Sequence, residues 1–112
     1  EVIDRLPFSR TLLRRMSVRP ENAHFIHARG DSMEPTIRDG AIVLVDKSIR
    51  RIRDDGIYAL VVDGDVRIKR VHKGIGGAVT LISDNSRYPP ETLANSTVLK
   101  VEGRVFWAGG VI

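Results

Sequence analysis

Ser32 is the residue of this sequence whose surroundings most favour covalent chemistry. It lies in the segment Gly30-Asp31-Ser32-Met33-Glu34-Pro35-Thr36, where glycine and proline constrain the backbone between two extended runs. A serine hydroxyl holds its proton at neutral pH, so it attacks a carbonyl only when a base lies within hydrogen-bond reach. Another part of the chain must therefore supply that base.

Histidine is the usual base for a serine nucleophile, and three histidines are available. His24 and His27 precede Ser32, but strand residues three apart point to opposite faces of a sheet, and no His-Asp-Ser pattern is apparent. His72 is the remaining histidine candidate.

Lys69 is a better candidate for the base, because a buried amine can lose its proton. It lies in Asp65-Val66-Arg67-Ile68-Lys69-Arg70-Val71, on the return strand of a predicted hairpin, where rigid backbone could hold the amine against the serine loop. The pKa of a free lysine is about 10.4, and lowering it to near 7 requires roughly 4 kcal/mol of preference for the neutral form. Burial beside Ile68 and Val71 would supply this preference, since residues 67–73 contain no acid to hold the ammonium.

The strand pattern by itself assigns no catalytic role. Charged side chains that alternate with apolar ones are usually solvated, and Arg67 and Lys69 fit that description as well. On the residues alone, a solvated Lys69 and a purely structural Ser32 stay open.

The elements that would position these residues are mainly short strands. Runs rich in Val and Ile between turn residues predict strands at residues 24–28, 41–46, 57–62, 65–71, 78–83 and 97–107. The Asp63-Gly64 pair predicts a two-residue turn and an antiparallel hairpin over residues 57–71, because both turn positions need positive φ. Apolar groups at helical spacing predict a short N-terminal helix over residues 8–16. We expect a mainly β fold, a curled antiparallel sheet fringed by that helix.

The composition is that of one globular domain. The 112 residues are 42% hydrophobic and 29% charged, which suits a single core. There is no cysteine, and no segment resembles a secretion signal or a membrane span, so we expect a soluble cytoplasmic protein. The net charge of +4 could suit nucleic acid, but Asp46, Asp54 and Asp55 flank the arginine-rich run at residues 50–53, and aromatic residues are few. Direct DNA binding by this chain is the less favoured interpretation.

Two separated motifs together carry a family resemblance. The first is Gly30-Asp31-Ser32-Met33-Glu34-Pro35-Thr36-Ile37, followed by Asp39-Gly40 and the apolar run at residues 42–46; the second is Ile68-Lys69-Arg70-Val71. In order and context they resemble the LexA-like peptidase family, which includes LexA, the phage CI-type repressors and UmuD. Residues 81–89 and 101–105 are also similar to that family. The resemblance implies a mainly β fold of curled antiparallel sheets, with a linker-proximal segment at residues 1–23 and a peptidase and dimerisation domain at residues 24–112.

The resemblance also implies roles for particular residues. Ser32 would be the nucleophile and Lys69 its general base, in a serine endopeptidase that uses no cofactor or metal. The backbone N–H groups of Asp31 and Ser32 are candidates for the oxyanion hole, worth about 3 to 4 kcal/mol if well aimed. Met33 and Pro35 would shape the loop and pack against substrate.

The partners implied are those of a repressor. A homodimer would bind operator DNA through an N-terminal helix-turn-helix domain absent from this chain, which opens with Glu1. A RecA filament formed after DNA damage would stimulate cleavage of the protein's own linker, and no membrane would be involved. The apolar residues Val105, Phe106 and Trp107 could serve the dimer or simply the core.

One departure from the family keeps alternatives open. Self-cleaving members usually present an Ala-Gly or Cys-Gly bond a few dozen residues before the serine, whereas the only Ala-Gly pair here is Ala108-Gly109. Either the scissile bond precedes Glu1 or this member is regulated differently. The alternatives are a catalytically silent dimerisation or partner-binding domain and, less favoured, an enzyme like the type I signal peptidases, which share the dyad but carry membrane anchors.

Overall fold

The computed structural model describes residues 9–95 and 97–109. A short helix, α1, spans Arg10–Arg15. Ser9 caps its N-terminus, because the Ser9 side chain accepts a hydrogen bond from the backbone N–H of Leu12 at 3.2 Å. The predicted helix is thus confirmed in its central part, and Phe8 at its start lies outside the described residues. Leu13 is buried and anchors the helix.

In the part of the chain that the structure describes, seven strands form one antiparallel sheet in the order β1-β2-β7-β3-β4-β5-β6. Their bounds are β1 Ala23–His27, β2 Ile42–Asp46, β3 Gly56–Val62, β4 Asp65–Lys73, β5 Val79–Ile82, β6 Glu91–Thr92 and β7 Leu99–Gly109. The mainly β, antiparallel fold class is therefore confirmed, and each predicted strand is present. Single-turn 3₁₀ helices lie at Pro20–Asn22, before β1, and at Ile75–Gly77, between β4 and β5.

The boundaries of several strands differ from the prediction. β4 continues to Lys73 and β7 to Gly109, while β5 ends at Ile82 rather than at Ser83. The two-residue strand β6 was not predicted, and β3 begins at Gly56, one residue before the predicted start. These ends depend on which neighbour a strand pairs with, and pairing cannot be derived from local composition.

The hairpin between β3 and β4 forms as predicted. Asp63 and Gly64 have φ values of 46° and 90°, the positive angles of a tight two-residue turn. The turn fixes a register in which Lys69 lies opposite Tyr58 and Ile68 lies opposite Ala59. Because successive strand residues alternate between faces, Lys69 shares a face with Tyr58, and Ile68 lies on the other.

Each face of the sheet carries its own apolar cluster. Ile68 packs against the first cluster, and Lys69 lies on the side of the second. The first consists of Ile26, Ala28, Met33, Ile37, Ala41, Val43, Val45 and Ala59. The second consists of Tyr58, Leu60, Val62, Val71, Leu81 and Val101. The long strand β7 pairs with both β2 and β3 and thereby joins the two halves of the sheet.

The helices in the described part of the chain are all too short or too polar to cross a membrane.

Candidate functional site

Ser32 and Lys69 line the same open groove, which has a volume of about 960 Å³. One wall comes from residues 26–30, at and after the end of β1, and the opposite wall from residues 66–69 of β4. Six of the fourteen described residues that line the groove are apolar: Ile26, Ala28, Met33, Ile37, Val66 and Ile68. The groove therefore presents apolar surface beside polar and charged side chains, namely those of His27, Arg29, Asp39, Arg67 and Lys69.

The loop that carries Ser32 is fixed at both ends. The N–H of Ala28 donates to the carbonyl oxygen of Ala41 at 2.9 Å, and the N–H of Gly40 donates to the carbonyl oxygen of Ala28 at 2.9 Å. Between these ends, Met33 and Ile37 are buried in the first apolar cluster. With its neighbours anchored in the core, Ser32 stays only partly buried at the groove.

Lys69 presents a partly buried amine to the groove. Its Nζ donates a hydrogen bond to the hydroxyl of Ser83 at 2.8 Å and lies 5.9 Å from the centre of the Tyr88 ring. Burial lowers the pKa of Lys69 below its ordinary value; the charge of Arg67 lowers it further, and the charge of Glu91 opposes both. The amine therefore loses its proton more readily than an exposed lysine would.

Ser32 and Lys69 line one groove, but no hydrogen bond joins them. The Nζ of Lys69 is bonded to Ser83 instead. Within the described residues, none of the histidines is hydrogen-bonded to Ser32, and His72 pairs instead with Asp55 at 3.0 Å on the surface. Among the basic residues that line the groove together with Ser32, burial lowers the pKa of Lys69; the others are His27, Arg29 and Arg67.

Three consecutive residues connect the strand of Lys69 to the loop of Ser32. Ser83 bonds Lys69, as described above, and Asp84 receives two hydrogen bonds from Arg70, at 2.8 and 2.9 Å. The same segment also bonds the serine loop. The hydroxyl of Thr36 donates to the carboxylate of Asp84, and Asn85 donates to the carbonyl oxygens of Asp31 and Ser32. The segment 83–85 therefore sets the position of one candidate catalytic residue relative to the other.

Asp84 is held in its charged form. The hydrogen bonds from Arg70 lower the pKa of its carboxyl group most, and the bond from Thr36 lowers it further against the effect of burial. Only 13% of its side chain is exposed. Because the Asp84 side chain is largely buried, solvent screens the attraction between Asp84 and Arg70 less than it screens a pair of fully exposed side chains.

In the sequence, the segment 83–85 is marked only by the family resemblance, which predicted no role for its residues. The register of the sheet, rather than the sequence, points to Ser83. In the β4–β5 pairing Val71 lies opposite Leu81 and Arg70 opposite Ile82, so the next position places Ser83 opposite Lys69.

The carboxylate of Asp31 accepts hydrogen bonds from two residues that follow β5 in the chain. The hydroxyl of Tyr88 and the guanidinium of Arg87 donate to its carboxylate, and the pKa of Asp31 is lowered chiefly by the Tyr88 bond. The N–H of Asp31 also faces its own carboxylate, whereas the N–H of Ser32 donates to no acceptor among residues 9–95 and 97–109. Of the two groups predicted for the oxyanion hole, that of Ser32 is the more available.

The two residues predicted to contact substrate lie in different surroundings. Met33 is 4% exposed and belongs mainly to the core, although it also lines the groove. Pro35 is exposed and does not line the groove. Met33 thus shapes the floor below Ser32, and the contact of Pro35 with substrate stays a prediction.

No group of three or more His, Asp or Glu side chains in the described ranges is arranged to hold a metal ion.

Comparison with known proteins gives consistent matches along most of the chain. The profile of the Peptidase S24-like family matches residues 1–106. The HTH-type transcriptional regulator PrtR of Pseudomonas aeruginosa is 38% identical over 109 residues, covering 92% of this chain and 42% of that protein. Repressor protein CI of Enterobacteria phage phi80 is 38% identical over 106 residues, covering 92% of this chain and 44% of the repressor. The chain thus spans less than half the length of these relatives.

Proposed function

The chain belongs to the Peptidase S24-like family, and from this premise we propose that it is the C-terminal domain of a phage or SOS-type repressor that cleaves its own linker. Ser32 is the nucleophile of this proposal and Lys69 its general base. One observation carries it: an amine whose pKa is lowered by burial lines the same groove as a serine on an anchored loop.

The first step of the proposed reaction forms an ester on Ser32. Its oxygen attacks the carbonyl carbon of the scissile peptide while its proton passes to the neutral Nζ of Lys69. The N–H of Ser32 donates to the oxyanion that develops, with Asp31 as the second proposed donor. The tetrahedral intermediate then releases the amine, which takes the proton from the Lys69 ammonium.

The second step hydrolyses that ester. Lys69, neutral again, removes a proton from a water molecule, and the resulting hydroxide attacks the ester carbonyl. Ser32 recovers its proton from the ammonium, and the new carboxylate leaves the groove. Both steps require the Oγ of Ser32 and the Nζ of Lys69 to come within hydrogen-bond distance, which rotation of the two side chains can provide when substrate enters.

The proposed partners follow from the same family. We place an N-terminal helix-turn-helix domain outside this chain to bind operator DNA, as the name of the PrtR relative suggests for that protein. A RecA filament is the proposed trigger, and the cytoplasm the proposed compartment. Homodimerisation through the C-terminal part of β7, where Trp107 is 37% exposed, completes the proposal. A full-length protein that remains monomeric at high micromolar concentration in sedimentation equilibrium would contradict the dimer.

The central test is self-cleavage of the full-length protein in alkaline buffer, followed by gel electrophoresis. We expect wild type to yield two fragments, and Ser32→Ala and Lys69→Met to stay intact. Ser48→Ala and Lys73→Met are matched controls, because both residues lie outside the groove, and they should cleave at the wild-type rate. Efficient cleavage of Ser32→Ala would rule out the mechanism.

A catalytically silent binding domain is the second candidate function. The observation that favours it is the hydrogen bond of Lys69 to Ser83 in place of one to Ser32. Full-length protein that stays uncut at alkaline pH and with activated RecA, while still forming dimers, would support this alternative.

A further inference from the structure

We propose that Ser83 is a positioning residue of the dyad, whose hydroxyl holds the amine of Lys69 at the groove while leaving it free to act as a base. The inference rests on the proposed function, because it assigns a partner to the proposed base. Neither the family match nor the relatives' names assign any role to Ser83.

The register of the sheet makes the contact a structural feature of the fold. Continuing the antiparallel β4–β5 pairing by one position beyond Arg70 and Ile82 puts Ser83 directly opposite Lys69. Directly opposed side chains of an antiparallel pair have Cβ atoms about 4.5–5.5 Å apart, within reach of a lysine and a serine. The distance of 2.8 Å between Nζ and Oγ is that of a well-formed hydrogen bond.

The backbone on which Ser83 sits is immobilised. The next residue, Asp84, is fixed by two hydrogen bonds from Arg70, which itself follows Lys69 in β4. The residue that follows Lys69 is therefore bonded to the residue that follows Ser83, next to the Lys69–Ser83 contact. Lys69 lines the groove and Ser83 does not, so Ser83 acts on the amine from the side away from substrate.

A hydroxyl suits this task because it carries no charge. When neutral Lys69 donates one of its N–H groups to Ser83, its lone pair remains available to accept the proton of Ser32. A carboxylate at the same position would orient the amine equally well but would stabilise the ammonium and oppose its deprotonation. Serine therefore combines orientation with a base that can be neutral.

The other groups around the amine leave this role to Ser83. Arg67, on the same strand, disfavours the charged amine, and Glu91 of β6 favours it. Glu91 is itself paired with Arg67 at 3.0 Å. The Tyr88 ring lies beyond hydrogen-bond distance, and its hydroxyl is bonded to Asp31. Ser83 is thus the hydrogen-bonding partner of Nζ among the described residues.

The test uses three variants of the full-length protein and the rate of self-cleavage as a function of pH. Ser83→Thr keeps a hydroxyl and should keep the wild-type profile. In Ser83→Ala the plateau rate should fall about tenfold or more, because a misplaced catalytic group reacts slowly, and the midpoint should not rise. In Ser83→Asp the midpoint should rise by roughly 1–3 pH units. A wild-type plateau in Ser83→Ala, or an unmoved midpoint in Ser83→Asp, would overturn the inference.

A second readout separates this inference from the proposed function. In full-length protein labelled with ¹³C-lysine, the titration of the Lys69 Cε signal reports its protonation without any cleavage, and Lys69→Met assigns the signal. We expect the Ser83→Asp titration to move to higher pH than that of wild type or Ser83→Thr. If wild type never cleaves but this shift occurs, the proposed function fails and the contact stands; if wild type cleaves and the shift is absent, only the inference fails.

Discussion

The backbone N–H of Asn85 donates to the carbonyl oxygen of Ser32 across 3.0 Å. The side-chain Nδ2 of the same asparagine donates to the carbonyl oxygen of Asp31, also at 3.0 Å. Asn85 thus holds two successive peptide groups of the serine loop against the segment that follows β5. Since Ser83 bonds Lys69, the position of the loop relative to the amine depends on a connection only three residues long.

Replacing Asn85 with alanine tests this connection. Asn85→Ala removes the bond to Asp31 and the 3.1 Å bond that the Asn85 side chain accepts from the N–H of Arg87, and it leaves the backbone bond to Ser32, so the loop should loosen without unfolding. We expect self-cleavage of full-length protein to slow about tenfold, because a small misplacement of a nucleophile is costly, while the pH midpoint stays unchanged. Ser86→Ala, at the exposed neighbouring position, is the control and should match wild type. An Asn85→Ala protein that cleaves at the full rate would show that the bond to Asp31 does not position the nucleophile.

The charges beside Lys69 predict the pH dependence of cleavage. Burial lowers the pKa of the amine. The cleavage rate should therefore rise with pH through a midpoint below about 10.4 and reach a plateau above it. Glu91→Gln removes the charge that raises the pKa and should move the midpoint down, whereas Arg67→Gln should move it up. Glu21→Gln, on the 3₁₀ helix at Pro20–Asn22, serves as the control. Shifts in the same direction for both variants would contradict this electrostatic account.

The sheet was predictable from the sequence where pattern and turn chemistry agree. The hairpin joining β3 and β4 has two β-branched runs and an Asp-Gly turn, and both local signals specify one geometry. β6 has two exposed residues, and it exists because Glu91 and Thr92 pair with Leu81 and Thr80. No local pattern marks such a strand.

The candidate site was predictable in its principal residues but not in their connection. Ser32 and Lys69 follow from motif resemblance, and the structure places both at one groove. The contacts of Asp84 and Asn85 with the serine loop join residues about fifty positions apart in the chain. Such contacts depend on how a loop packs against a sheet, which residue types and spacing do not specify.

The ion pair between Asp84 and Arg70 predicts a pH-dependent contribution to stability. The pKa of Asp84 is lowered in the folded protein, so the folded state binds protons less readily than the unfolded state, whose aspartate titrates near 3.9. The contribution is present above that value and is lost as the pH falls through the lower folded pKa. We expect Asp84→Asn to reduce the free energy of unfolding by about 1–2 kcal/mol at pH 7, with the difference disappearing in strong acid.

Urea denaturation of wild type and variant at a series of pH values measures this difference. Asp65→Asn is a suitable control, because Asp65 is exposed beside the hairpin turn and has no ion pair among the described residues. It should leave the free energy of unfolding nearly unchanged. A constant difference between Asp84→Asn and wild type from neutral to strongly acidic pH would show that the charge of Asp84 is not its source.

Gly103 of β7 lies close against the end of β2. A Cβ at this position would lie 2.6 Å from the carbonyl oxygen of Asp46 and would overlap the side chain of Val45. The obstacle includes backbone that is already paired in the sheet, so it cannot move aside without breaking that pairing. Gly103→Ala should therefore lower the free energy of unfolding by an amount near the upper end of about 1–3 kcal/mol, measured by urea denaturation.

Gly74→Ala is the matched control, because a Cβ there would meet nothing closer than 3.7 Å and its φ is negative. Equal stability of the two variants would mean that β7 can shift away from β2, and the tight contact at Gly103 would then have no structural importance.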